Sequence, residues 1–328
     1  MRVVVVGLGS MGKRRTRLIH KYDESIQIVG VDSNEERRIS AQTEYSIVTF
    51  ANISDAAAAF HIDCAYICTS PLSHSGIISD CLNIGWHVFA ELNLVSDGYE
   101  ANIILAKQKN LVLFMSSTFL YREEIKMIDH LTHQADCKLN YTYHIGQYLP
   151  DWHPWENYLE FFVGNKRTNG CREIFAIELP WLSDVFGDIV NIDVLKSKNS
   201  KLNIDYDDNF LVLIQHASGH KGTLAVDVIS RKAVRNLEVF GENLYLHWNG
   251  SPTGLFKYDF ELKTDVNIEL YNEIDQLENY SSFVVENAYS NEIESFMQAV
   301  LHGKKTKYSF EKDIEILKVI DQIEAAHV

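Results

Sequence analysis

The first 32 residues constrain this chain more than any other stretch. Val3 to Val6 is an unbroken β-branched run, short enough for a strand buried on both faces. Gly7-Leu8-Gly9-Ser10-Met11-Gly12 follows at once, and Lys13 to His20 then has a helical texture. A second strand, Ile26 to Val31, stops at Asp32, twenty residues after Gly12. In this order the glycines have separate tasks. Gly7 permits a tight turn, Gly9 lets the backbone approach a pyrophosphate, and Gly12 lets helix and strand pack closely. The pyrophosphate then meets the free N–H groups and the positive end of the helix, where Ser10 and Met11 also lie. Asp32 is placed to accept hydrogen bonds from the adenosine ribose and to repel a 2′-phosphate, so the spacing predicts NAD rather than NADP. Arg37 and Arg38, five and six residues on, soften that preference, although a solvated helix face is their plainer reading.

The alternation continues. Asp55 to Phe60 reads as a helix, Cys64 to Cys68 as a strand closed by Thr69-Ser70-Pro71, Ser75 to Ile84 as a helix, and His87 to Ala90 as a strand ending at Glu91. Gly98 to Lys109 and Val112 to Ser116 add one more helix and strand. Strands and helices alternating over short links require right-handed crossovers and a parallel, doubly wound sheet. After about Leu120 the strands lengthen and alternate in polarity: Lys138 to Gly146, Asn209 to His216, Gly222 to Ser230 and Val234 to Phe240. Gly219 fits a hairpin turn between two of them. These strands predict a mostly antiparallel sheet with one face free for a helix layer or another subunit. Glu286 to Leu301 and Lys312 to Ala326 have helical periodicity. The fold class is therefore α/β: an N-terminal Rossmann domain over 1–120, then an α+β domain over 121–328 with a large open-faced sheet, its C-terminal helices being candidates to pack back toward the Rossmann domain.

Bulk properties narrow the functions. The chain has 328 residues and a formal net charge of -15, which argues against a nucleic acid or an anionic membrane as main partner. Cys64, Cys68, Cys81, Cys137 and Cys171 form no CxxC pair and no metal spacing, so buried thiols in a reducing compartment are expected, and no metal. No stretch approaches the roughly 20 apolar residues of a membrane span, and the N-terminus lacks the pattern of a signal peptide, so a cytoplasmic location is expected.

Beyond the glycine motif, Ile67-Cys68-Thr69-Ser70-Pro71 with His74, and then Gly85-Trp86-His87-Val88-Phe89-Ala90-Glu91, resemble the Gfo/Idh/MocA oxidoreductases. Gly146-Gln147-Tyr148-Leu149-Pro150-Asp151-Trp152 is similar to a segment of one branch of that family, and Tyr289, Asn291, Glu292, Phe296, Gly303, Ser309 and Asp313 are similar to its returning helices. The resemblance implies a Rossmann domain whose Thr69–Pro71 loop, His74 and Glu91 lie about the cofactor. It also implies an open-faced sheet that builds homodimers or homotetramers, and a nicotinamide-dependent oxidation of a hydroxyl on a sugar, sugar derivative or nucleotide sugar.

Two departures bear on the chemistry. The family's Glu-Lys-Pro is Glu91-Leu92-Asn93 here, and its active-site histidine falls at Ile177, with Pro180 at the following aspartate. Neither Leu92 nor Ile177 has an exchangeable proton, and acid–base assistance is typically worth about 10²- to 10⁴-fold. Glu173, four residues before Ile177, shares its face if that stretch is helical, though an ion pair with Arg172 is the plainer reading. Glu178 points elsewhere on such a helix unless Pro180 breaks it. His153 is the third candidate, with His144 next, each weighed against an ordinary packing or surface role. Trp152, Trp155 and Trp181 fit either a sugar-binding face or a core. Three functions follow: a dehydrogenase whose acid–base group has moved to Glu173, Glu178 or His153; a cofactor-binding protein without turnover, regulatory or an assembly subunit; or a lyase or epimerase that recycles bound NAD.

Overall fold

In a computed structural model, which describes residues 1–153, 156–277 and 283–326, the chain divides into two compact units. The first comprises Met1–Ser117 with Tyr289–Glu315, the second Thr118–Ala288 with Ile316–Val328.

The first unit is built on β1 (Arg2–Val6), α1 (Ser10–Tyr22), β2 (Gln27–Val31), α2 (Glu35–Tyr45), β3 (Val48–Phe50), α3 (Ile53–Ala59), β4 (Cys64–Ile67), α4 (His74–Ile84), β5 (His87–Ala90), α5 (Tyr99–Lys109) and β6 (Leu113–Met115). Its six strands are all parallel, in the order β3-β2-β1-β4-β5-β6. The valines of β1 are buried because both faces of this central strand are covered. The order reverses between β1 and β4, the crevice where doubly wound sheets bind ligands. Tyr66, Phe89 and Phe114 of neighbouring strands each place a ring against Phe296 of α8 (Glu286–His302), with centroids 5.3–5.6 Å apart. That aromatic stack anchors the returning helix on the sheet.

The second unit holds α6 (Glu123–Gln134), β7 (Asn140–Gly146), α7 (Gly170–Phe186), β8 (Ile189–Ser197), β9 (Asn209–His216), β10 (Lys221–Asp227), β11 (Val234–Phe240), β12 (Tyr245–Trp248), β13 (Leu255–Asp259) and β14 (Thr264–Asn267), and receives the end of α9 (Phe310–Ala325). Its eight strands run in the order β14-β13-β12-β11-β7-β10-β9-β8. Every adjacent pair is antiparallel except β7 with β10. Gly219, at φ 91°, makes the hairpin between β9 and β10. Residues alternate between a buried face, where Tyr141, Phe210 and Val212 lie, and an open face carrying Leu211 and Leu213. Because β7 and β10 run in parallel, the loops after Gly146 and Asp227 leave the sheet side by side.

On the predicted solvated face of α2, Arg37 is exposed and Arg38 is half-buried. It donates to the backbone carbonyls of Asp32 and Ser33 at 2.8 and 3.0 Å, because α2 starts right beside the end of β2. α7 runs unbroken through Pro180, so the geometry of Glu173, Ile177 and Glu178 is that of a regular helix.

Candidate functional site

The glycine turn is shaped as a phosphate cradle. Gly7 has φ +92°, and a Cβ there would lie 2.8 Å from the carbonyl carbon and oxygen of Cys68. A Cβ on Gly12 would meet the Gly7 carbonyl oxygen at 1.8 Å, so α1 and β1 approach as closely as they do only because residue 12 has no side chain. A Cβ on Gly9 would find only the Arg37 Nη1 within 4 Å, at 3.8 Å, which leaves open space over this turn. Gly9 caps α1 without a side-chain hydrogen bond, and no acid lies in the helix's first turn. The N–H groups of Ser10, Met11 and Gly12 therefore point outward without intrahelical acceptors, as an anion requires.

Asp32 closes the cradle. Its Oδ2 accepts from the Leu8 N–H and its Oδ1 from the Asn34 N–H, both at 2.8 Å. These bonds fix the carboxylate beside the glycine turn and leave it further lone pairs for a ribose hydroxyl. Cradle, free helix terminus and fixed carboxylate together fit a pyridine dinucleotide.

Across the crevice, β4 ends in the Thr69–Pro71 loop. His74 is fully buried and its Nε2 lies 2.8 Å from the Thr69 carbonyl oxygen. Burial lowers its pKa, so the ring is neutral and donates that proton, pinning the loop. Ser73 Oγ adds bonds to Thr69 Oγ1 and the Ser70 carbonyl. Glu91, expected near the cofactor, has its carboxylate engaged inside the unit: Arg15 Nε and Nη2 reach it at 2.5 and 3.1 Å. The same guanidinium, itself without exposure, contacts Glu292 Oε2 at 2.6 Å. Glu292 Oε1 in turn accepts from Ser116 Oγ and the Ser117 N–H, each at 2.8 Å. Burial works against charge on Arg15, but Glu91 and Glu292 outweigh it and raise its pKa well above the ordinary value. Arg15 thereby ties α1 to the ends of β5 and β6 and to α8.

In the second unit the three acid–base candidates separate. Glu178 is buried in a closed network: its Oε1 accepts from Arg235 at 2.5 Å and its Oε2 from Tyr143 and Trp181 at 2.8 and 2.7 Å. Trp181 is correspondingly core. His153 contacts Glu156 at 3.4 Å and packs on Phe161 with centroids 4.3 Å apart. His144 lies 2.8 Å from Asp227 on the open sheet face, opposite α7. Trp152 donates to the Gln147 carbonyl at 3.1 Å; Trp155 lies outside the described residues.

Glu173 differs from all of these. Arg172, its expected partner, turns instead to Asp321 at 2.7 Å and to Glu324. Glu173 Oε2 is buried with no hydrogen-bond partner among the described residues, and burial pushes its carboxyl up to about 8. It stands in the first turn of α7, one turn from Gly170, where a Cβ would touch Leu149 and Val228 at 2.9 and 3.0 Å and Trp152 at 3.4 Å. The helix start and the adjoining loops after β7 and β10 thus share one end of this unit. Sequence reading missed Arg15 with Glu292 and Arg235 with Glu178, pairs whose members are 277 and 57 positions apart. Among the described residues no group of three His, Cys, Asp or Glu side chains is arranged to hold a metal, and no helix is long and apolar enough to cross a membrane.

The fold and cradle define a two-unit α/β protein of the dinucleotide-binding class. Residues 1–116 match the Gfo/Idh/MocA family model, described as an oxidoreductase family with an NAD-binding Rossmann fold. Solved structures share the whole fold. Levoglucosan dehydrogenase in complex with NADH and L-sorbose superposes with a TM-score of 0.82 at 15% identity, over 98% of this chain and 95% of that one. UDP-N-acetylglucosamine 3-dehydrogenase GnnA from Acidithiobacillus ferrooxidans gives 0.74 at 17%, over 99% and 97%. Biliverdin reductase from Synechocystis, solved with biliverdin and NADP+, gives 0.75 at 18%, over 98% and 97%. No curated protein matches the sequence.

Proposed function

We propose that this chain is an NAD-dependent oxidoreductase acting on a hydroxyl group of a sugar, sugar derivative or nucleotide sugar, with Glu173 as its acid–base residue. The observation that carries the reading is the Glu173 carboxyl, its Oε2 buried without a hydrogen-bond partner among the described residues and its pKa raised by burial, in a chain whose first unit carries an intact dinucleotide cradle. Two of the similar structures, levoglucosan dehydrogenase and GnnA, are dehydrogenases of sugar-type substrates, which supports the substrate class.

The nicotinamide ring, when bound, supplies the hydride acceptor or donor. The chain's own residues do the rest. Gly7, Gly9 and Gly12 admit the pyrophosphate, the first turn of α1 supplies N–H donors, and Asp32 receives the ribose. The Thr69–Pro71 loop, pinned by His74, fixes the crevice wall. Oxidising an alcohol also requires removal of the hydroxyl proton. Leu92 and Ile177 cannot take it, whereas Glu173 can: a base with pKa about 8 is half-ionised at about pH 8 and partly ionised at physiological pH. Glu178, saturated by Arg235, Tyr143 and Trp181, is assigned to structure.

We also assign the open face of the eight-stranded sheet to self-association. Leu195, Leu211 and Leu213 expose 62%, 52% and 55% of their surface on adjoining strands β8 and β9, an apolar patch that pairing would cover.

The test is NAD reduction by the purified protein over a panel of sugars, sugar acids and nucleotide sugars. Turnover with at least one of them, rising with pH through about 8 and lost in Glu173→Gln while NAD still binds, is the expected result. Product formed without net NADH would transfer the same site to a lyase or epimerase. Binding of NAD with no turnover across the panel would leave a cofactor-binding protein.

A further inference from the structure

Where β7 and β10 end, the second unit presents an arginine that no internal acid claims. Arg231 is exposed in the turn between β10 and β11, and its guanidinium carbon stands 3.6 Å from the ring centroid of the half-buried Tyr148, in the loop after β7. The ring covers one face of the planar cation and engages none of its N–H donors, which stay available at its edge. The chain has 45 acidic residues against 30 Lys and Arg. Yet among the described residues no carboxylate comes within ion-pair distance of Arg231, or of the exposed Lys232 that follows it. Asp151, exposed three residues beyond Tyr148, pairs with neither.

The backbone around this pair is fixed by its own hydrogen bonds. Asp227 Oδ1 accepts from the N–H groups of Ile229 and Ser230 at 2.9 and 2.7 Å, and its Oδ2 from the Ser230 hydroxyl at 2.9 Å, which holds the turn that carries Arg231. On either side of Tyr148 the two loops are tied together: the Gln147 N–H donates to the Asp227 carbonyl at 3.3 Å and the Leu149 N–H to the Val228 carbonyl at 2.9 Å. Segments ordered in this way leave a ligand little backbone entropy to overcome. Leu149 and Val228 are also the side chains that crowd Gly170 at the start of α7, one turn from Glu173. The guanidinium and the acid–base candidate therefore belong to the same end of the unit.

A neutral sugar offers such a group only hydroxyls, whereas a phosphate or carboxylate matches its fork with two parallel N–H···O bonds. We propose that Arg231, stacked on Tyr148 and joined by the charge of Lys232, binds an anionic group of the substrate, so that the sugar taken is phosphorylated, nucleotide-linked or carboxylated rather than neutral. The proposal rests on the oxidoreductase reading and narrows its substrate class.

The experiment is calorimetric titration of the full chain with probes that differ in the charged group: glucose, glucose 6-phosphate and glucuronate, and N-acetylglucosamine beside UDP-N-acetylglucosamine. Saturating NADH keeps the dinucleotide cradle filled, and a parallel assay with NAD reads turnover. At least one charged probe is expected to bind about tenfold or more tightly than its neutral counterpart, and which one does so separates a phosphoryl group from a carboxylate. Arg231→Ala should weaken that probe about tenfold or more and its neutral counterpart less than about threefold. Arg231→Lys, which keeps the charge and loses the fork, and Tyr148→Leu, which removes the platform, should fall between. Raising the salt concentration should weaken the charged probe more than the neutral one. Equal affinity for charged and neutral probes, a preference that survives Arg231→Ala, or no binding of any charged probe overturns the proposal, and turnover of neutral sugars in that event leaves the oxidoreductase standing. Arg231-dependent binding of a charged probe with no NADH formed across the panel supports the anion contact and overturns the oxidoreductase reading instead.

Discussion

Replacing Glu173 by glutamine tests the most unusual group in the second unit without knowledge of the substrate. Glutamine has nearly the shape of the protonated carboxyl, so the two proteins differ mainly in whether residue 173 can ionise. In the unfolded chain a glutamate titrates near its ordinary 4.5, and in the folded chain burial raises that to about 8. A raised pKa means that the folded state holds the proton more tightly. The associated stability is fully present below about 4.5 and is lost as pH rises through about 8. The native protein should therefore match the variant at pH 4.5, fall progressively behind it up to pH 8, and then run parallel. At 1.36 kcal/mol per pK unit the full gap corresponds to about 5 kcal/mol. Although Oε2 is covered, Glu173 as a whole is half-buried, and solvent screening reduces the realised difference to about 1–2 kcal/mol. For a unit of this size that is a rise in Tm of about 2–8 °C for Glu173→Gln at pH 9. Thermal melts of both proteins at pH 5, 7 and 9 measure it, and the remainder of the chain cancels in the difference. A pH-independent difference, or a variant less stable than the native protein at pH 9, would refute the reasoning. A variant more stable and inactive is the signature of a functional residue held in an unfavourable state.

Arg235→Ala leaves Glu178 buried without its counter-charge and should cost about 3–5 kcal/mol in chemical denaturation, whereas Glu178→Gln with Arg235 retained should cost less. Gly12→Ala, which in an ordinary helix would gain about 1 kcal/mol, should instead lower the melting temperature and weaken NAD binding, because its Cβ would lie 1.8 Å from the Gly7 carbonyl. Leu211→Glu with Leu213→Glu should convert a dimer or tetramer to monomer in light scattering at unchanged helical and strand content, both positions being exposed in the single chain.

The parts of the fold legible in the sequence are those in which one residue type is forced. The β1 valines, the three glycines and Asp32 announce themselves because a buried parallel strand and a close backbone approach tolerate little else. α2 is invisible in the sequence because only Ala41 of Glu35–Tyr45 is buried, so the helix has almost no apolar stripe to read. β14 is exposed at every position, and β3 has three residues; neither leaves a periodic pattern. At the candidate site the sequence nominates Glu173 and Glu178 together. What separates them is distant: Arg235, 57 positions on, neutralises Glu178, and Asp321 and Glu324 draw Arg172 away from Glu173. Adjacent opposite charges in a sequence suggest a pair, but consecutive helix positions do not face each other. The cluster around Arg15 is equally nonlocal, since Glu91 and Glu292 converge on one guanidinium only after the sheet and α8 have assembled.

The proposed oxidoreductase activity depends most on the first unit holding a pyridine dinucleotide between its glycine turn and Asp32. Calorimetric titration of the native chain with NAD, beside Asp32→Ala, reads this directly. Saturable binding of one NAD per chain, weakened about tenfold or more in the variant by loss of the ribose contact, is the predicted result. Absence of saturable binding in the native protein, or equal affinity in the two, would contradict it.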